Sequence, residues 1–140
     1  MTTMIHIKRV YDPVEPTDGT RILVDRLWPR GLKKTALALD RWQKELAPSD
    51  TLRRWYHHDP GKWEQFRQRY LAELEARPAA WGSLIQAARG PLTLLYSAHD
   101  SEHNNAVVLR EFLLRKLGEG RVPAPEPDEA PDASTGKAAA

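Results

Sequence analysis

The stretch Arg21-Ile22-Leu23-Val24-Asp25-Arg26-Leu27-Trp28-Pro29-Arg30-Gly31 constrains this chain more than any other. Its first half, Ile22-Leu23-Val24, is a short apolar run of β-formers and reads as a buried strand, although periodicity alone does not exclude a helix. Its second half cannot continue that strand. Pro29 lacks an N–H, and Gly31 releases the backbone into a turn. Asp25, Arg26, Trp28 and Arg30 therefore cluster where a buried strand ends. In α/β sheets ligands bind beyond the carboxyl ends of strands, so this stretch reads as half of a site.

The other half is found by following the chain. Ile5-His6-Ile7-Lys8-Arg9-Val10 alternates apolar and polar, as a strand with one wetter face does. Asp12-Pro13 and Thr17-Asp18-Gly19 mark a loop. That loop either closes a hairpin onto the 21–25 strand or carries the chain back for a parallel one; the reading leans to parallel, and the direction of the first strand stays open. Asp40 is a plausible N-cap for a short helix over 41–46. Ser49 or Asp50 caps another over 51–57. Asp59-Pro60 opens a helix over 60–76, with Trp63, Phe66, Tyr70 and Leu74 on one face as ordinary core. Pro78 opens the next, with Trp81, Leu84, Ile85 and Ala88 inward, stopped by Gly90-Pro91. Leu92-Thr93-Leu94-Leu95-Tyr96 reads as a central strand. The last helix is expected over about 102–117, ended by Gly118. A long helical connection between the strands at 21–25 and 92–96 makes them parallel. Their carboxyl ends then share one edge, and Arg26, Trp28 and Arg30 face Ser97 to Asn104.

That second segment, Tyr96 to Asn105, joins a strand to a helix start, where free N–H groups attract anions. Ser97 and Ser101 add hydroxyl donors and Asn104 an amide, and Arg26 and Arg30 are placed to clamp the same anion. The competing reading makes Ser101 a plain helix cap and Arg26 a partner of Asp25 or of a helix C-terminus. With two arginines nearby, the Asp25 carboxyl is expected to titrate low and to orient an arginine or a bound group. His103 is the candidate proton carrier. Lys8, Arg9 and Tyr11 extend the pocket if the first strand is also parallel. His57-His58-Asp59 and His99-Asp100 match no established zinc spacing, so no metal is assigned. Arg53-Arg54 beside Trp55 and Tyr56 has the residue types of a single-strand nucleic-acid platform but no recognised motif.

Composition narrows the classes. There is no cysteine, which excludes disulfides, thiolate nucleophiles and cysteine-bound metals. No apolar run approaches the ~20 residues of a membrane span, and there is no hydrophobic signal core. These features predict a soluble cytoplasmic protein. Residues 1–117 carry 19 Lys and Arg against 14 Asp and Glu, whereas residues 118–140 carry 2 against 5. The domain is mildly basic, and the Pro- and Ala-rich acidic segment 118–140 is expected to be a disordered tail.

Several blocks together resemble domain-of-unknown-function family 488, in its short YeaO-like branch. They are Lys8-Arg9-Val10-Tyr11-Asp12-Pro13, Asp18-Gly19 with Arg21 through Gly31, Trp42 with Lys44-Glu45, Phe66-Arg67, Tyr70-Leu71, Leu92 through Ala98, and His103-Asn104-Asn105-Ala106. The resemblance covers residues 4–117 and implies a small α/β domain without an assigned biochemical role. Longer relatives carry a cysteine-containing motif near the last strand–helix junction; this chain has no cysteine, so thiol chemistry does not carry over.

The sequence thus predicts a single small α/β domain over 1–117, with a short, mainly parallel β-sheet flanked by helices. The leading function is binding of a small phosphate- or carboxylate-bearing anion at the carboxyl edge of the sheet, with enzymatic activity left open. Arg26, Arg30, Trp28, Ser97, Asn104, Lys8, Arg9 and Tyr11 are the candidate ligand contacts, His103 and Asp25 the catalytic candidates, and no cofactor is called for. The alternative is an interaction module that engages nucleic acid or protein through its basic face.

Overall fold

The computed structural model describes residues 5–33, 35 and 37–119. Strands β1 (Ile5–Arg9), β2 (Thr20–Leu23), β3 (Arg41–Trp42) and β4 (Leu92–Tyr96) form one sheet in the order β1-β4-β2-β3, with every pair parallel. β1 and β2 do not pair; β4 lies between them, which excludes the hairpin. Gly19 makes the entry to β2 possible. Its φ is +66°, and a Cβ there would lie 2.3 Å from the Pro91 carbonyl oxygen, so backbone conformation and close approach both demand glycine.

Side-chain alternation assigns the two faces. Ile5, Leu92, Leu94, Tyr96, Ile22 and Val24 join one large core, and Leu23 and Leu95 join a smaller one with Val10 and Leu37. All four helices pack on the first face: α1 (Asp50–Tyr56), α2 (Trp63–Glu75), α3 (Pro78–Ala87) and α4 (Asn105–Glu119). The second face is covered by the connection from β2 to β3, through Trp28, Leu32, Leu37, Leu39 and Trp42. β4 is buried along its whole length, and each fully buried leucine there contributes roughly 1.5–3 kcal/mol. Phe66, Tyr70 and Leu74 of the expected aromatic stripe are buried, as are Trp81, Leu84, Ile85 and Ala88. Among the described residues no helix is long and apolar enough to cross a membrane.

Three local expectations are corrected. The helix expected over 41–46 is instead β3 followed by a 3-10 turn, Lys44–Leu46. The open edge of β2 dictates this: its Arg21 and Leu23 carbonyls accept the amides of Asp40 and Gln43, at 2.7 and 2.9 Å. Asp40 caps no helix; its carboxylate accepts the Arg21 amide. The last helix starts at Asn105 rather than 102, because Asn104 is its cap: the Asn104 Oδ1 accepts the Val107 amide at 3.0 Å. Ser101 therefore caps nothing there. Gly118 does not end the helix, which continues to Glu119. From residue 120 onward the expected tail lies outside the described residues.

Candidate functional site

Because the strands are parallel, the segments that leave β2 and β4 emerge side by side. They enclose a chamber of about 420 Å³ whose wall includes Asp25, Arg26, Trp28, Arg30, Ser97 and Asn104. Of the predicted ligand contacts and catalytic candidates, these six share one cavity. Lys8, Arg9, Tyr11 and His103 are not among its lining residues.

The chemistry inside differs from the expectation at its centre. The donors read as an anion cradle are occupied by the protein's own carboxylate. Asp25 Oδ2 accepts the Ser97 amide at 2.9 Å and the Ser97 hydroxyl at 2.8 Å. Asp25 Oδ1 accepts the Asn105 amide nitrogen at 3.2 Å, and the same nitrogen also reaches the Val24 carbonyl. Asp25 thus ties the end of β2 to the β4–α4 junction. Burial pushes its carboxyl above the usual carboxylate range, against the opposing hydrogen bonds from Ser97 and Asn105. The expected low titration is corrected, because neither neighbouring arginine reaches it. Arg26 turns to the Pro48 carbonyl at 3.2 Å and to Asp50 at 3.6 Å.

The remaining predicted residues have structural partners. Asn104 lines the chamber, yet its amide nitrogen donates to the Asp100 carbonyl while its oxygen caps α4. The Trp28 indole donates to the Leu32 carbonyl and meets Trp42 edge-on at 5.3 Å. Arg9 donates to the carbonyls of Ala98 and Ser97 and stacks over Tyr11, whose hydroxyl donates to the Arg30 carbonyl. Arg9 and Tyr11 therefore brace the two walls from behind. Lys8 joins Asp18 and Glu15 in an ion-pair cluster. The His103 ring bonds Asp100 at 3.0 Å and packs edge-on against Trp63. Arg30 is the exception: it is exposed, and its guanidinium makes no hydrogen bond or ion pair among the described residues.

Residues that sequence reasoning did not place here add to the wall: Ala47 and Pro48, Arg53 and Tyr56 of α1, His58, and Phe66 of α2; Asn105 belongs to the segment that it did place here. Tyr56 and Phe66 stack with centroids 4.3 Å apart. His57 and His58 both have positive φ, 45° and 54°, an unusual pair for residues other than glycine. The left-handed turn ends α1 and brings His58 to the wall; the His57-His58-Asp59-Pro60 run reads from sequence only as a helix start and does not announce it. Among the described residues no group of three or more His, Asp or Glu is placed to hold a metal ion.

Comparison with known proteins places this architecture. The chain is 53% identical to the uncharacterised protein YeaO of Escherichia coli over 110 residues, covering 78% of this chain and 96% of that protein. It is 36% identical to the uncharacterised protein Rv3073c of Mycobacterium tuberculosis over 111 residues, covering 79% and 94%. No solved structure matches it. A family profile described as the inactive DUF488-N3 subclade matches residues 4–133, running past residue 117, where the sequence resemblance stopped. This chain belongs to that inactive DUF488-N3 subclade of domain-of-unknown-function family 488.

Proposed function

We propose that this protein binds a small organic anion, phosphate- or carboxylate-bearing, in the chamber at the carboxyl edge of its sheet. Arg30 carries the reading. It lines the chamber, and its guanidinium has no partner among the described residues, while Arg26 and Arg53, which share Asp50, lie on the same wall. Binding is favoured over catalysis on three grounds. Asp25 fills the donor cradle, His103 lies outside the lining, and the subclade is described as inactive.

The test is a thermal-shift screen of the wild type and Arg30→Ala against phosphate, sulfate and small carboxylates. A ligand at 100 times its dissociation constant adds about 2.7 kcal/mol, a rise of roughly ten degrees for a domain of this size. Loss of one charge-assisted contact, worth about 1.5–3 kcal/mol, weakens binding by roughly 10- to 100-fold in Arg30→Ala. Equal stabilisation of both proteins removes Arg30 from the site, and no stabilisation of either removes the reading.

One observation favours the second reading, a basic interaction face. Trp55 is stacked by Arg69 at 4.3 Å and Lys62 at 4.9 Å, beside the exposed Arg53 and Arg54. Such a face binds single-stranded nucleic acid with strong salt dependence. A gel shift at low salt that shows no complex rejects it.

A further inference from the structure

We infer that the ligand of this chamber is a hydroxylated anion of the sugar-phosphate class, its phosphate on Arg30 and a hydroxyl on Asp25. The inference rests on the anion-binding reading above and adds to it the other end of the ligand.

The first argument is the acceptor count at Asp25. A carboxylate has about four lone-pair sites. Oδ2 uses two on Ser97, and Oδ1 uses one on Asn105. Asp25 lines the chamber, so its remaining site is offered to a donor on the ligand. An ammonium is disfavoured there, because Arg26, Arg30 and Arg53 share the wall and like charges repel. A neutral hydroxyl meets no such penalty.

The second argument is size and surface. A chamber of about 420 Å³ equals the volume of roughly 14 waters at ~30 Å³ each. That is far more than inorganic phosphate or a two-carbon acid fills, and it suits a phosphorylated sugar of five or six carbons. The lining also has an apolar share, the stacked Tyr56 and Phe66 together with Ala47, Pro48 and Ala98. Apolar wall atoms of this kind pack against the C–H groups of a sugar ring through dispersion.

Calorimetric titration of the full chain with inorganic phosphate, ethyl phosphate, ribose 5-phosphate and glucose 6-phosphate tests this. At least one sugar phosphate is expected to bind tenfold or more tighter than ethyl phosphate, which has the anion but no hydroxyl. Asp25→Ala is expected to erase that difference, and Arg30→Ala to weaken all organic phosphates alike. Equal binding of ethyl phosphate and the sugar phosphates overturns the hydroxyl assignment and leaves the arginine site standing. A sugar preference that survives in folded Asp25→Ala overturns the role of Asp25. Absence of binding by every phosphate overturns the sugar-phosphate assignment, and the carboxylates of the thermal-shift screen then decide whether the anion reading stands. The ligand comparison on the wild type decides the question even if Asp25→Ala fails to fold.

Discussion

Two aspartates flank β2, and the same carboxylate serves opposite purposes at its two ends. Asp18 lies just before the strand and Asp25 just after it. Both are withdrawn from solvent, and both bridge distant segments. Asp18 is met by cations: Lys8 at 3.0 Å, and Arg21 through a short contact with Oδ2, with the Glu15 amide on the same oxygen. Among the described residues the hydrogen-bond donors to Asp25 are neutral, from Ser97 and Asn105. Burial pushes both carboxyls upward. At Asp18 the Glu15 amide, Lys8 and Arg21 outweigh burial and hold it below the usual range, whereas at Asp25 burial wins. Charge compensation makes a closed structural lock at one end. Its absence at the other leaves an underpaired carboxylate facing a chamber, and perturbed carboxylates of that kind mark functional sites.

The lock should break hardest. Arg21 is 5% exposed, and its Nη2 already has no partner among the described residues. Removing Asp18 leaves that guanidinium buried without its counterion, a change that typically costs about 3–5 kcal/mol. Asp18→Ala is therefore expected to lower the melting temperature by more than ten degrees in calorimetry. A drop of only a few degrees would show that Arg21 finds another anion or water, and the contrast between the two ends would collapse.

Asp25→Ala should cost less, about 1–2 kcal/mol. It frees the donors of Ser97 and Asn105, but they border a chamber, and the substitution also removes a carboxylate that burial disfavours. Urea melts of the two variants side by side measure the ratio. A larger loss in Asp25→Ala than in Asp18→Ala would make Asp25 the principal lock and reverse the assignment.

The pH dependence separates the pair more sharply than magnitude does. Asp25 titrates higher in the folded chain than unfolded. Its contribution is complete below the unfolded carboxylate pKa of about 3.9 and is lost as pH rises through the folded value. Asp18 titrates lower when folded, so its contribution is present above about 3.9 and is lost as pH falls through the folded value. The stability difference between wild type and Asp25→Ala should therefore shrink with rising pH, and that for Asp18→Ala should shrink with falling pH. Parallel curves would mean that the two carboxyls share one environment.

How much of this was legible in the sequence follows from range. The apolar runs at 22–24 and 92–96, the stripe from Phe66 to Leu74 and the shared carboxyl edge were readable, because each depends on local pattern plus the geometry of parallel connections. The partners of Asp25 were not. Arg26 and Arg30 adjoin it in sequence, but its bonds go to Ser97 and Asn105, 72 and 80 positions away. Proximity along the chain predicted a falling pKa; distance in the fold reversed it. Residues 41–46 misled for a related reason: helical spacing does not register the unpaired edge of β2, which claims Arg41 and Trp42 as a strand. His58 reaches the wall through consecutive positive φ values, a conformation that the residue types themselves disfavour.

A third carboxylate calibrates the other two, with the smallest expected effect. Asp100 is exposed, and its carboxyl is held low by the Glu102 amide, by the His103 ring and by the His103 amide. It thus has the low titration of Asp18 without its burial, and it faces solvent rather than the chamber lined by Asp25. His103 belongs to this turn: it bonds Asp100, touches the edge of Trp63 and is absent from the chamber wall. An exposed pair of this kind is screened by solvent and contributes little to stability. His103→Gln is therefore expected to shift the melting temperature by only a few degrees and to leave phosphate titrations of the chamber unchanged. A tenfold loss of ligand affinity in a variant that melts normally would draw His103 into the site as a ligand contact. Unchanged affinity would leave Asp25 as the one carboxylate of the three that lines the chamber.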